Sequence, residues 1–226
     1  MSPRIIACLI LRAPRLGAVK TRLAAEVGPE SALAIYRALA KRQVRQIPSE
    51  WTLAIHFDPP EAREEIEDWI TSICPGRDVH FHPQASGNLS ERLERAMLDA
   101  FAAGAEQAFV LGADCPGLES AYLRCAADGL ARCDCVISPA LDGGYNTLGL
   151  KSAPRGFFRA IDWGTAHVLG QTRSRLREAG LAWRELDPLE DVDDLLSWRR
   201  AAAAHPTLSI TGEEHDMRSL PPTQAR

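Results

Sequence analysis

The chain has 226 residues, of which 46% are hydrophobic and 25% charged, with a formal net charge of −4. This is ordinary globular composition with enough apolar material for a sizeable core, and it lacks the cationic excess that nucleic acid or an anionic membrane requires. Any anion site must therefore be local. Six cysteines in a chain this long, with no secretory leader ahead of them, read as reduced thiols, and a cytoplasmic location is expected.

Taken in order, the chain alternates. Ile5 to Leu11 is an uninterrupted apolar run, short enough for a strand buried on both faces of a parallel sheet. It stops at a loop carrying Arg12, Arg15, Lys20 and Arg22 around Pro14 and Gly17, with a helix expected to open near Thr21. Glu30 to Ile47 repeats apolar residues at helical period after Gly28-Pro29, and Trp51 to Phe57 reads as a second strand ended by Asp58-Pro59-Pro60. Glu61 to Ile73 is helical again. A short strand at Val79 to His82, a polar loop from Pro83 to Asn88 and a helix from Leu89 to about Gly104 follow. Ala108 to Leu111 is the next buried strand, running straight into Gly112-Ala113-Asp114-Cys115-Pro116.

Beyond it the pattern predicts a helix over Glu119 to Ala131 and strands at Cys135 to Ser138 and Tyr145 to Leu150. A helix over Thr165 to Ala179, a strand at Trp183 to Leu186 and a last helix over Asp191 to Ala204 complete the series; the acidic first turn of the last suits its dipole. From Pro206 no period is sustained, and a mobile tail is expected over 206–226. The alternation predicts one α/β domain over 1–205, its mainly parallel sheet covered on both faces.

Ligands of open α/β sheets bind beyond the carboxyl ends of the strands, so three loops carry the candidate chemistry. Arg12, Arg15, Lys20 and Arg22, with Gly17 letting the backbone approach, form a cradle for a polyphosphate or else a solvated basic turn. The loop is not a Walker motif. Asp114, one residue past Gly112-Ala113, is either a ligand for Mg²⁺ or a cap for the helix after Pro116. In Pro139 to Asn146, Gly143 and Gly144 would let a substrate lie against the backbone, Asp142 could orient a hydroxyl or take its proton, and Tyr145 could pack a ring. The same segment reads equally as a tight Asp-Gly hairpin turn. Asp191 and Asp193 could complete a metal site opposite Asp114, or simply serve a first helical turn. His80 with His82, and Cys133 with Cys135, have too few companions for zinc.

Together, Arg12-Ala13-Pro14-Arg15-Leu16-Gly17-Ala18-Val19-Lys20-Thr21-Arg22-Leu23, Leu111-Gly112-Ala113-Asp114-Cys115-Pro116 and Pro139-Ala140-Leu141-Asp142-Gly143-Gly144-Tyr145 resemble the radical-SAM/selenodomain-associated transferase family. Gly87-Asn88-Leu89-Ser90-Glu91-Arg92 and Asp162-Trp163 extend the likeness, which runs from about Ile5 to Trp198. That family belongs to the nucleotide-diphospho-sugar transferases of GT-A fold. The resemblance implies a Rossmann-like three-layer α/β/α sandwich, with a nucleotide-binding half over about 1–138 and an acceptor half over about 139–205. It implies donor phosphates at Arg12, Arg15, Gly17, Lys20 and Arg22, and a metal, Mg²⁺ or Mn²⁺, at Asp114 with Asp191 and Asp193. The acceptor would meet Asp142, Gly143, Gly144, Tyr145, Asp162 and Trp163, with Asp142 and Asp162 as the catalytic pair. Two departures stand out: Asp114 lacks the second acid of an Asp-x-Asp pair, and the closing acidic motif is compressed to Asp191-Val192-Asp193-Asp194.

The leading expectation is a glycosyltransferase-like enzyme that moves a sugar from a nucleotide diphosphate sugar to a hydroxyl acceptor. The rival is a nucleotidylyltransferase of the guanylyltransferase kind, joining a nucleoside triphosphate to a phosphorylated acceptor with release of pyrophosphate. A third is a nucleotide-binding module without turnover. The expected partners are a nucleotide or nucleotide-sugar donor and a small-molecule acceptor, with neither nucleic acid nor membrane.

Overall fold

The structure is a computed structural model that describes residues 3–152 and 155–208. In chain order its elements are β1 (Ile5–Arg12), α1 (Thr21–Val27), α2 (Pro29–Gln46), β2 (Thr52–Asp58), a 3₁₀ turn (Pro60–Ala62), α3 (Arg63–Ile73), β3 (Val79–Pro83), α4 (Leu89–Ala102) and β4 (Gln107–Leu111). The series continues with α5 (Ser120–Leu130), β5 (Cys135–Pro139), β6 (Tyr145–Leu150), α6 (Val168–Glu178), β7 (Trp183–Glu185) and α7 (Leu195–Ala204). Among the described residues no helix is long and apolar enough to cross a membrane.

The strands form one sheet in the order β3-β2-β1-β4-β6-β5-β7. Every neighbouring pair is parallel except those of β6, which runs against both β4 and β5. The sheet is thus mainly parallel, as the alternation predicts. Period 2 explains how β1 can be apolar from Ile5 to Leu11: Ala7, Leu9 and Leu11 face α2, α3 and α5, while Ile6 and Cys8 face α4 and α6. On the first face Phe109 stacks on Trp51 with ring centroids 5.1 Å apart, and Gly149 of β6 leaves the space that the Phe109 ring fills. A satellite cluster joins α1, α2 and α7 through Leu23, Ile35, Leu39 and Trp198.

The chain leaves β1 for β2 and β3 on one side, then returns to place β4 on the other. This reversal puts a topological switch point between the carboxyl ends of β1 and β4, where such sheets open a crevice. The opening loop follows β1, the Asp114 loop follows β4, and the Asp142 loop closes the β5–β6 hairpin. All three expected sites therefore lie at one edge.

Two boundaries differ from the sequence expectation by three residues or more. The last helix begins at Leu195 rather than Asp191, because Asp194 is its N-cap: its side chain accepts from the Ser197 backbone at 2.7 Å, in a reciprocal capping box. Asp191 and Asp193 are consequently loop residues rather than acids of a first turn. The helix expected from Thr165 starts at Val168, since Gly164 has a left-handed φ of 78° and the Thr165 hydroxyl donates to Asp162 O. Of the expected tail, Leu208 is buried with the satellite cluster, and residues 209–226 lie outside those described.

Candidate active site at the carboxyl edge of the sheet

A cleft of about 580 Å³ opens over β1 and β4. One wall is the opening loop. Tyr36 of α2 fixes its start: the tyrosine hydroxyl accepts from the Arg12 backbone N–H at 2.9 Å and donates to the Arg12 carbonyl at 2.7 Å. The loop ends at Lys20, the residue before α1, which adopts a left-handed conformation (φ 48°, ψ 45°) that a non-glycine residue rarely takes. Such strain is held in place by surrounding contacts and gathers at functional sites. Here the contacts are made by the side chain.

The Lys20 ammonium is sunk among acids. It stands 3.0 Å from Asp114 Oδ1 and 3.5 Å from Asp193 Oδ1, and it donates to the Val192 carbonyl at 2.5 Å. Only 6% of the lysine side chain is exposed, against 42% for Asp114 and 50% for Asp193. The Val192 N–H also donates to the Asp114 carbonyl at 3.0 Å, so the β4 loop and the loop before α7 are stitched together around this lysine. Asp114 does not cap α5, whose N-cap is Glu119.

Asp191 completes the group. Burial and the neighbouring charge of Asp114 raise its pKa to about 7, partly offset by a hydrogen bond from Asn146 and the charge of Lys20. The Asn146 amide donates to Asp191 Oδ1 at 2.5 Å.

Arg12, Lys20, Arg22, Asp114, Asp191 and Asp193 all line the cleft, as do Asp142, Gly144, Tyr145 and Trp163. Other expected positions do not. Arg15 turns outward to Glu65 at 2.9 Å and Glu61 at 4.0 Å, and Gly17, with a positive φ of 73°, shapes the loop away from the cleft wall. Gly143 is a backbone device: its φ is 92°, and a Cβ there would sit 2.6 Å from the Ala166 carbonyl oxygen. Asp162 is not among the cleft-lining residues, and its carboxylate accepts from Gln171 Nε2 at 2.7 Å.

The acceptor wall is also more committed than its residue types suggest. Asp142 Oδ1 accepts the Gly144 N–H at 2.9 Å, the self-bonded turn of an Asp-Gly hairpin. Tyr145 presents only its ring, because its hydroxyl is buried on the Thr172 side, and burial drives its pKa far up. Trp163 packs edge-on against it with centroids 5.9 Å apart and spends its ring N–H on Ser90 Oγ at 2.7 Å.

Residues that carried no expected role complete the cleft. Gln84 donates to the carbonyls of Leu11 and His56 at 2.9 and 3.1 Å and accepts from Arg92 at 3.1 Å, tying β1 and β2 to α4. Arg92 itself lines the cleft. Asn146 lies just beyond the Gly143-Gly144-Tyr145 segment.

Among the described residues no group of three or more His, Cys, Asp or Glu side chains forms a ready cage for a metal. The acids nevertheless fit a hard divalent cation. Asp114 Oδ1 is buried and its contact with Lys20 is not a directed hydrogen bond, which leaves an oxygen with lone pairs to spare. Mg²⁺ commonly takes one or two carboxylates and completes its shell with waters and substrate phosphates.

Over residues 42–165, more than half of its length, the chain matches the family described as "Uncharacterized protein conserved in bacteria (DUF2064)". It belongs to that family. No curated protein matches the sequence. Among solved structures, a protein of Desulfovibrio desulfuricans G20 provisionally named a nucleotide-diphospho-sugar transferase is 29% identical, covers 85% of this chain and 84% of its own, and superposes with a TM-score of 0.78. The 4-diphosphocytidyl-2C-methyl-D-erythritol synthase of Anaerococcus prevotii DSM 20548 is 9% identical over 89% of this chain and 98% of its own, with a TM-score of 0.57. A CMP:2-keto-3-deoxy-manno-octonic acid synthetase complexed with CTP is 10% identical over 89% and 98%, with a TM-score of 0.53. The last two share the fold with this DUF2064 member. The α/β architecture is thus that of nucleotide-diphospho-sugar transferases and related nucleotidyltransferases.

Proposed function

We propose that the protein is a nucleotide-dependent transferase acting on the phosphate chain of its donor, and that the group it moves is a nucleotidyl group. The observation that carries the first part is the Lys20 cluster: one buried ammonium against Asp114 and Asp193 at the switch point, flanked by Arg12 and Arg22. Cations in a fixed arrangement stabilise the charge that collects on a departing polyphosphate, and they need no rearrangement as it leaves. Asp114, Asp191 and Asp193 would hold Mg²⁺ or Mn²⁺, which when bound would neutralise phosphate oxygens.

The choice of transferred group follows from the acceptor wall. Moving a sugar to a hydroxyl calls for a carboxylate placed to take the proton, and the pair expected for this is dispersed. Asp162 is outside the cleft and Asp142 is bonded to its own turn. A phosphorylated acceptor is already ionised and needs no base. Its oxygen would attack the α-phosphorus of a nucleoside triphosphate, the bond from that phosphorus to the bridging oxygen would break, and pyrophosphate would leave against Lys20, Arg12 and Arg22. In this reading Lys20 follows the phosphates, Tyr36 holds the Arg12 end of the loop, and the aromatic edge of Tyr145 and Trp163 lines the acceptor side.

The glycosyl reading keeps one specific support, the name given to the Desulfovibrio protein at 29% identity, and the Tyr145–Trp163 pair offers ring surface to a sugar. Placement in the radical-SAM/selenodomain-associated branch belongs with either reading. The test uses water as a poor acceptor. The protein with Mg²⁺ is incubated with nucleoside triphosphates or nucleotide sugars, and the products are resolved by ³¹P NMR. Nucleoside monophosphate plus pyrophosphate is expected; nucleoside diphosphate plus free sugar would transfer the assignment to glycosyl transfer. If neither appears and Asp114→Asn changes no turnover with any acceptor, the module without catalysis is left.

A further inference from the structure

We infer that Asn146 is the positioning residue of the metal-binding acids, a role that rests on the nucleotide reading above. Asn146 is second in β6, the one strand that runs against its neighbours, and only 6% of it is exposed. Two connections leave it. Its side-chain amide donates to Asp191 Oδ1 at 2.5 Å, and its backbone carbonyl accepts from the Gly112 N–H at 3.4 Å, two residues before Asp114. One residue thus touches the loop of each acid, across 45 and 34 positions of sequence.

The amide is itself held in register. The Ser138 hydroxyl lies 3.4 Å from Asn146 Oδ1 and 2.8 Å from the Tyr122 hydroxyl, which donates to the Asp187 carbonyl at 2.6 Å. Ser138 and Asn146 are both buried, so this chain runs from the α5 face through the β5–β6 hairpin to the cleft. A carboxylate that binds a cation through one oxygen is turned by whatever bonds the other, and loss of a partner of this kind costs about 10- to 100-fold in metal affinity. Asn suits the task for two reasons. Its amide is neutral, so it adds no charge to a site that already holds three acids, and its N–H₂ gives Asp191 a donor.

The test reads metal binding rather than turnover. The probe is the Mn²⁺–tripolyphosphate complex, whose binding is followed by water-proton relaxation, and metal-free tripolyphosphate is titrated in parallel by calorimetry. For Asn146→Ala the account predicts a 10- to 100-fold loss of affinity for the manganese complex and less than a twofold change for metal-free tripolyphosphate. Asn146→Asp, nearly the same shape, guards against a loss that comes from misfolding. Its circular dichroism should match the wild type, and it should still bind the complex at least 10-fold more weakly, because an ionised carboxylate cannot donate to Asp191 and repels it. Equal affinity in wild type and Asn146→Ala would overturn the inference, as would tighter manganese binding by Asn146→Asp, which would make position 146 a ligand site. Failure of the wild-type protein to bind the manganese complex at all would instead bring down the nucleotide reading, and the inference with it.

Discussion

Replacing Lys20 by Met removes the ammonium and keeps a side chain of similar length, so the left-handed backbone strain is common to both proteins. Two unit charges 3.0 Å apart attract by about 5 kcal/mol at an effective dielectric of 20, before any cost of desolvation. That cost is large for a lysine whose side chain is 94% covered, and the acids, roughly half exposed, are screened by water. The opposing contributions leave a loss of stability of about 1–2 kcal/mol. The effect on ligand should be greater. A charge-assisted hydrogen bond to phosphate contributes about 1.5–3 kcal/mol, so the Kd of a Mg²⁺–nucleoside triphosphate complex should rise about 10- to 150-fold. Freed acids should at the same time bind Mn²⁺ alone more tightly than in the wild type. Isothermal titration with and without nucleotide measures both. Unchanged nucleotide affinity in Lys20→Met, with a folded protein, would refute the phosphate role of the loop.

Two buried groups should oppose each other in pH. Asp191 is raised from 3.8 to about 7, so its contribution is fully present below pH 3.8 and is lost as pH rises through 7. His56 is lowered from 6.5 to about 4 by burial and then by His82, so its contribution is present above pH 6.5 and is lost as pH falls through 4. Without divalent metal, urea unfolding should therefore show stability that rises from pH 4 to 6.5 in Asp191→Asn, by about 3 kcal/mol at most, and falls from pH 4 to 7 in His56→Leu, by about 4 kcal/mol at most. The wild-type profile should be flatter than either. Gly149→Ala drives a Cβ to 2.3 Å from the fully buried Phe109 ring, and a loss of about 1–3 kcal/mol in chemical denaturation is expected. Arg15→Ala should change nucleotide affinity less than twofold by calorimetry, because that arginine is spent on Glu65 and Glu61.

The fold was legible because its signals are local. A strand such as β1, buried on both faces, has to be apolar until it leaves the sheet, as it is from Ile5 to Leu11, and helix starts carry their own chemistry, as at Asn88 with its capping box to Glu91. The same logic misplaced the start of the last helix: Asp191, Asp193 and Asp194 are alike in composition, and only the Ser197 bond shows that Asp194 is the cap. Among the site residues, spacing could bring Lys20 and Asp114 to one edge but could not report that they touch. That contact depends on β4 lying beside β1, a pairing across about a hundred residues. Direction was equally hidden. Arg15 and Arg12 look interchangeable in the loop, yet Glu61 of the 3₁₀ turn and Glu65 of α3 draw one of them outward. Asn146 had no residue-type signal, since its role comes from standing on an antiparallel strand between two acid loops.

The most direct measurement of the central claim is the identity of the phosphorus products formed by the purified protein with Mg²⁺. A nucleoside triphosphate, a phosphorylated small-molecule acceptor and the wild-type chain should give pyrophosphate in amounts equal to nucleotide consumed, and Lys20→Met and Asp114→Asn should each abolish it. Nucleoside diphosphate released from a nucleotide sugar, with no pyrophosphate from any triphosphate, would contradict the account.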